Sequence, residues 1–209
     1  MTDEWIYNRR PDGARFLPDR VAEPARTEIE DDIWSWVVRG EDDADEFADY
    51  LDGDEVRDGI TDEELASAYD QALAVRRTQQ AGWGTVRSNL TLAFAELNDL
   101  GVLARQNFAC CGNCAAVEIH DERDDSRHWH GYLWFHEQDT ESLIASEDGS
   151  VYLGYGVYDE QADFQAAVER LMDEVVFPVL RRHGMRPEWN RNLATRILVT
   201  GAQWYAPVG

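Results

Sequence analysis

The chain has 209 residues, 44% hydrophobic and 11% aromatic, enough apolar mass for one large domain or an ordinary domain with an appendage, and this excludes disorder over most of its length. Its formal charge is -23, and no apolar run reaches the roughly 20 residues that span a bilayer, so no membrane association is expected. The opening residues lack the apolar core of a secretory signal, which makes the cytoplasm the expected location.

Charge is unevenly spread. Between Glu28 and Asp70 there are eighteen Asp or Glu and only Arg39 and Arg57 to oppose them. Such a field repels phosphate backbones, so no nucleic acid is expected as a partner. The segment reads as a solvated acidic face or as a docking surface for a basic protein partner.

Taken in order, residues 1–27 hold three of the six prolines and little periodicity, and read as an irregular arm. Ile33, Trp34, Val37 and Val38 form an apolar stripe at helical spacing that ends at Gly40, and Phe47, Tyr50 and Leu51 repeat the device. Thr61 and Glu64 form a capping box that opens a helix to about Gln80, and Ser88 caps another that stops at Gly101. From Val102 the texture changes. Residues 102–108 read as a strand, 111–122 as a helix with Val117 and Ile119 inward, 124–128 as a loop, and 132–136 and 151–158 as strands. A long amphipathic helix follows on Phe164, Val168, Leu171, Val175 and Val179, bent at Pro178 and ended by Gly184, before short strands at 186–189 and 195–200. The order β-α-β-β-α-β predicts an α+β fold, a ferredoxin-like split βαβ sandwich with both helices on one face. Three segments result: an arm (1–27), an acidic helical region (28–101) and the α+β domain (102–209).

All three cysteines fall at Cys110, Cys111 and Cys114. Clustered thiols without distant partners cannot staple an extracellular fold, so they point to metal, redox or nucleophilic chemistry, with inert packing thiols as the plain alternative. Cys111 and Cys114 make a C-x-x-C grip for one tetrahedral ion, zinc being the metal such a set suits, and His128, His130 or His136 are the imidazoles that would complete it. At a strand-to-helix turn the same thiols would also have a lowered pKa, as redox or nucleophilic cysteines do.

A second constellation is His136-Glu137-Gln138-Asp139-Thr140-Glu141. His136 with Asp139 or Glu141 is a general base with its orienting carboxylate, or a ligand with supporting groups. The structural alternative has Asp139 or Thr140 capping a short helix over 142–145, which leaves His136 unexplained. Gly154 and Gly156 mark close backbone approach or a bulge within a strand. P-loop, dinucleotide-binding, nucleophile-elbow and H-E-x-x-H patterns are absent from the sequence.

The segments ARQNFACCGNC (104–114), GYLWFHEQDTE (131–141), VYLGYG (151–156) and EWN (188–190), with the helical lead-in at 60–83, resemble a bacterial family of domains of unknown function. The resemblance carries no activity. It implies that the two motifs form one joint site, with Cys110, Cys111, Cys114 and His136 as the metal set and Gln138, Asp139 and Glu141 around it, and it gives no such support to His128 and His130. The expectation is a small cytoplasmic binding or regulatory protein with a thiolate-centred zinc site. A thiol-dependent enzyme using a cysteine with His136, and an acidic protein that docks or inhibits a basic partner, are the alternatives.

Overall fold

The computed structural model describes residues 8–52, 57, 59–83, 88–146, 148–158 and 163–209. The chain divides into two compact units, residues 1–86 with 205–209, and residues 87–204.

In the first unit, helix α1 (Ala25–Arg39) and helix α3 (Asp62–Ala81) pack together, with the short α2 (Ala44–Tyr50) against α3. The period that forms α1 also buries it: Ile29, Ile33 and Val37 are fully enclosed, as are Leu65, Ala68, Tyr69 and Ala72 of α3. α1 ends where Gly40 adopts φ 90°, a conformation without penalty for glycine, and returns its N–H to the carbonyl of Val37. The Thr61–Glu64 capping box forms as expected. The arm is irregular but anchored. The fully buried Glu30 carboxylate accepts the N–H groups of Phe16 and Leu17 at 3.0 and 3.1 Å and pairs with Arg10 at 3.0 Å. The C-terminal residues return to this unit, where Ala206 N–H bonds the Val38 carbonyl.

The second unit begins with α4 (Asn89–Asp99), capped by Ser88, and continues through β1 (Val102–Arg105), α5 (Gly112–Glu118), β2 (Gly131–Trp134), α6 (Glu137–Ala145) and β3 (Val151–Val157). It closes with α7 (Phe164–Leu171), a π-helical turn (Met172–Val176), α8 (Phe177–Arg182), β4 (Arg186–Glu188) and β5 (Ile197–Thr200). The sequence reading set its boundary after Gly101; in the structure α4 clusters with the sheet.

The α+β class is observed. The sheet runs β1-β2-β3-β5-β4, with β1 and β2 parallel and the other pairs antiparallel. A split βαβ unit places another strand between its two parallel strands, whereas here β1 and β2 are neighbours joined by the α5 crossover. Nor do the helices share a face. α5 covers the face of Leu103 and Trp134, while Leu171 at the end of α7 reaches Gly131 on the opposite one. Burial explains the two-sided cover: neighbouring residues of β1 and of β2, Val102 with Leu103 and Leu133 with Trp134, are all buried, so both faces need a lid.

Two helical details differ from the periodicity. Val117 is 70% exposed and Ala115 takes its place beside Ile119, because i and i+4 share a face and α5 stops at Glu118. In the long helix the departure from α geometry lies before Pro178. A proline ring clashes with the carbonyl four residues back, and the π turn over Met172–Val176 widens the helix there. The extra residue advances the buried stripe by one, so Val176 is enclosed and Val175 half-exposed.

Candidate functional site

The cysteines occupy the turn between β1 and α5. After Arg105 the backbone enters the left-handed region twice, at Asn107 (φ 49°) and Ala109 (φ 60°), a conformation that costs a non-glycine residue about 1–2 kcal/mol. Contacts to the strand end beyond β2 hold it there. Phe108 N–H donates to the Phe135 carbonyl at 2.9 Å, and Glu137 N–H donates to the Ala109 carbonyl at 3.1 Å. Phe108 and Ala109 also pack on the cluster of Leu103, Ala115, Ile119, Trp129 and Trp134. These backbone bonds bracket His136, so the two motifs singled out in the sequence lie side by side.

Cys110 is exposed, while Cys111, at the N-cap of α5, and Cys114, within its first turn, are half-buried. The three Sγ atoms lie within 4.8 Å of one another, a cluster that could hold a metal ion. Cys110 Sγ is 3.6 Å from Cys114 Sγ. Cys111 and Cys114 do not titrate alike. The backbone N–H groups of Cys114 and then Asn113 hold Cys111 below the ordinary thiol range, whereas hydrogen bonding from Cys110 and then Cys111 pushes Cys114 up to about 12. A cation bound among the sulfurs would displace their protons.

His136 is the residue that capping was expected to leave unexplained, and it is itself the cap. Its Nδ1 accepts the Asp139 N–H at 3.2 Å, and Asp139 Oδ2 accepts the His136 N–H at 3.2 Å, a reciprocal capping box that starts α6 five residues earlier than the expected helix over 142–145. Nε2 lies 3.2 Å from Asp139 Oδ2, so the other ring nitrogen also faces the polar atoms of this group. Burial lowers the His136 pKa, against the pull of Asp139 and with the added repulsion of Arg196.

Arg196 has no counterpart in the sequence reading. It lies one residue before β5, where the only sequence signal was a charge at the edge of an apolar run. Its Nη1 is 2.9 Å from Asp139 Oδ2 and 3.0 Å from His136 Nε2, and its Nη2 binds the second oxygen of Asp139. The guanidinium also lies 5.8 Å from the centre of the Trp134 ring and 5.4 Å from that of Tyr152.

The link from this group to the thiols is Gly112. A Cβ on Gly112 would meet the His136 ring at 3.5 Å and Trp134 at 3.7 Å, so the histidine and tryptophan edges form the wall behind the cysteine turn. Trp134 itself lies flat on Gly154, and Tyr132 on Gly156, in each case where a Cβ would overlap the ring. Close approach, not a bulge, is what the two strand glycines serve.

The expected metal set therefore separates into two layers. Cys110, Cys111 and Cys114 bring their sulfurs together, and His136 stands behind them with both ring nitrogens engaged. It is not among the clustered ligand atoms. Asp139 is buried under Arg196, while Gln138 and Glu141 are exposed on α6. His128 and His130 stack edge to face at 4.8 Å before β2, and no third ligand-type side chain joins them among the described residues. Among those residues no helix is long and apolar enough to cross a membrane.

No curated protein and no solved structure matches this chain. One family model does, over residues 18–206, which takes in both helical and sheet units and both motifs, and the chain accordingly belongs to the family described as Domain of unknown function (DUF6891).

Proposed function

We propose that this is a small metal-binding protein that holds a thiophilic divalent ion, zinc by its chemistry, through Cys110, Cys111 and Cys114. The observation that carries the reading is the mutual approach of three sulfurs within 4.8 Å on one turn. Three thiolates at that spacing repel one another unless protons or a cation lie among them, and thiolate donors select soft and borderline ions over calcium or magnesium. Structural zinc sites close with four protein ligands, whereas three leave a position open. Here Cys110 faces solvent, and the fourth position falls to a water or to a donor from a partner. That favours a binding or regulatory role over a purely structural one.

His136 and Asp139 support this site from behind. Their capping box and the Arg196 pair hold the imidazole edge on Gly112, and so hold the turn. For His136 to become the fourth ligand, Nε2 would have to leave Asp139 and Arg196.

The test is titration of the reduced full-length protein with zinc against a chromophoric chelator, and with cobalt as a spectroscopic probe. One equivalent per chain is expected, with a thiolate-to-cobalt charge-transfer band, and Cys114→Ser should weaken binding by at least about tenfold. Uptake below about a tenth of an equivalent by folded, reduced protein would sink the reading.

A further inference from the structure

Three features of the turn allow thiol chemistry beside metal binding. Cys110 is exposed, its sulfur points at that of Cys114 across 3.6 Å, and Cys111 is a third donor that this pair does not need. A disulfide requires two sulfurs to close to about 2.05 Å with suitable Cβ geometry. Cys110 lies on the loop side of the α5 cap and Cys114 within the first helical turn.

We propose that Cys110 and Cys114 are a peroxide-sensitive dithiol whose closure to a disulfide expels the bound ion, so that the site reports oxidation by releasing metal. This rests on the metal-binding reading and adds its regulation. The oxidant is a hydroperoxide. The exposed Cys110 sulfur attacks the terminal peroxide oxygen; an S–O bond forms, the O–O bond breaks, and the departing alkoxide or hydroxide takes up a proton. Cys114 sulfur then attacks the Cys110 sulfenic sulfur. The S–S bond forms, the S–O bond breaks, and the leaving hydroxide departs as water with a proton. Two thiols lose two electrons, and the peroxide is reduced to an alcohol, or water, plus one water. Of the three sulfur donors only Cys111 remains, too few to retain the ion, and an external dithiol restores the set by exchange.

Position supports the assignment beyond distance. The backbone on the Cys110 side is anchored through Phe108 and Ala109 to the strand carrying His136, and Gly112 is backed by the His136 and Trp134 rings. The oxidisable sulfur is thus presented outward from a fixed base, and its partner stays within reach on α5. An exposed thiol beside a second thiol is the arrangement in which sulfenic acid is trapped as a disulfide before it oxidises further.

The experiment uses full-length protein loaded with one equivalent of zinc and treated with one equivalent of hydrogen peroxide. Released zinc is read with a chromophoric chelator and free thiols are counted under denaturing conditions. Loss of two thiols in monomeric protein, release of the zinc, and its rebinding after dithiothreitol are expected. Cys111→Ser should still lose both remaining thiols, whereas Cys114→Ser should instead accumulate trappable sulfenic acid at Cys110. Zinc retained through peroxide, or a Cys111→Ser variant whose thiols stay reduced, would overturn the switch while leaving the metal site standing. Failure of the reduced chain to bind zinc at the outset would overturn the metal reading and the switch's output together, and thiol counting on Cys111→Ser then decides the dithiol separately.

Discussion

His136 shows how one residue can join a local and a distant requirement. Its ring nitrogen starts α6, its ring edge backs Gly112, and Asp139 and Arg196 lock both arrangements. Replacing it with alanine removes the cap and should cost about 1 kcal/mol or more in urea unfolding. Asparagine, whose side chain also caps, should cost less. The histidine also predicts a pH dependence. Its folded pKa lies below the ordinary value of about 6.5, so between the two the unfolded chain binds a proton that the fold refuses, and stability falls as pH drops through that window. Above it both states are neutral and the contribution is flat. Stability measured against pH should lose this slope in His136→Asn; an unchanged difference between the two proteins would show that the ring titrates alike folded and unfolded. The capping role was hidden in the sequence because histidine is not among the side chains that normally cap helices, and because Asp139 and Thr140 looked like the caps.

At the scale of elements, the cysteine turn is a crossover connection, and its placement depends on the sheet beneath it. Trp134 is the wedge: it lies on Gly154, touches the Gly112 side of the turn, and has the Arg196 cation over its ring. Gly154→Ala inserts a Cβ into that indole and, as an overpacked core does, should cost about 1–3 kcal/mol. If Trp134 backs the thiols as described, the same variant should also broaden or shift the cobalt charge-transfer band, whereas Gly156→Ala, which displaces Tyr132 instead, should leave it close to wild type. Equal spectral effects of the two would separate Trp134 from the site. Most elements here were legible from hydrophobic period and caps. The paired strand glycines were legible as close approach or a bulge; which of these, and which ring approaches each glycine, was not, because cross-strand neighbours are set by register.

Over the whole molecule, the acidic character is concentrated in one unit. Exposed carboxylates include Asp42, Asp43, Asp45, Glu46 and Asp49 around α2, and Asp62 and Glu63 at the start of α3. With a net charge of -23 the folded chain repels itself, and salt should relieve this as the Debye length falls from about 30 Å at 0.01 M to about 10 Å at 0.1 M. The midpoint of thermal unfolding should therefore rise with sodium chloride, most steeply at low concentration. A flat profile would mean that local ion pairs, such as Arg10 with Glu30 and Asp31, already offset the field.

The sequence by itself determined the α+β class, the helix caps at Thr61 and Ser88, and the thiol cluster, because each depends on residues within a few positions of one another. Tertiary structure decided the rest. It made β1 and β2 neighbours, put helices on both sheet faces, and brought Arg196 across the sequence to Asp139 and His136. It also set the edge of the His136 ring against Gly112 of the cysteine turn. These outcomes depend on strand order and register, which no local period encodes, since a strand's alternation shows which residues face inward but not which strand lies beside it.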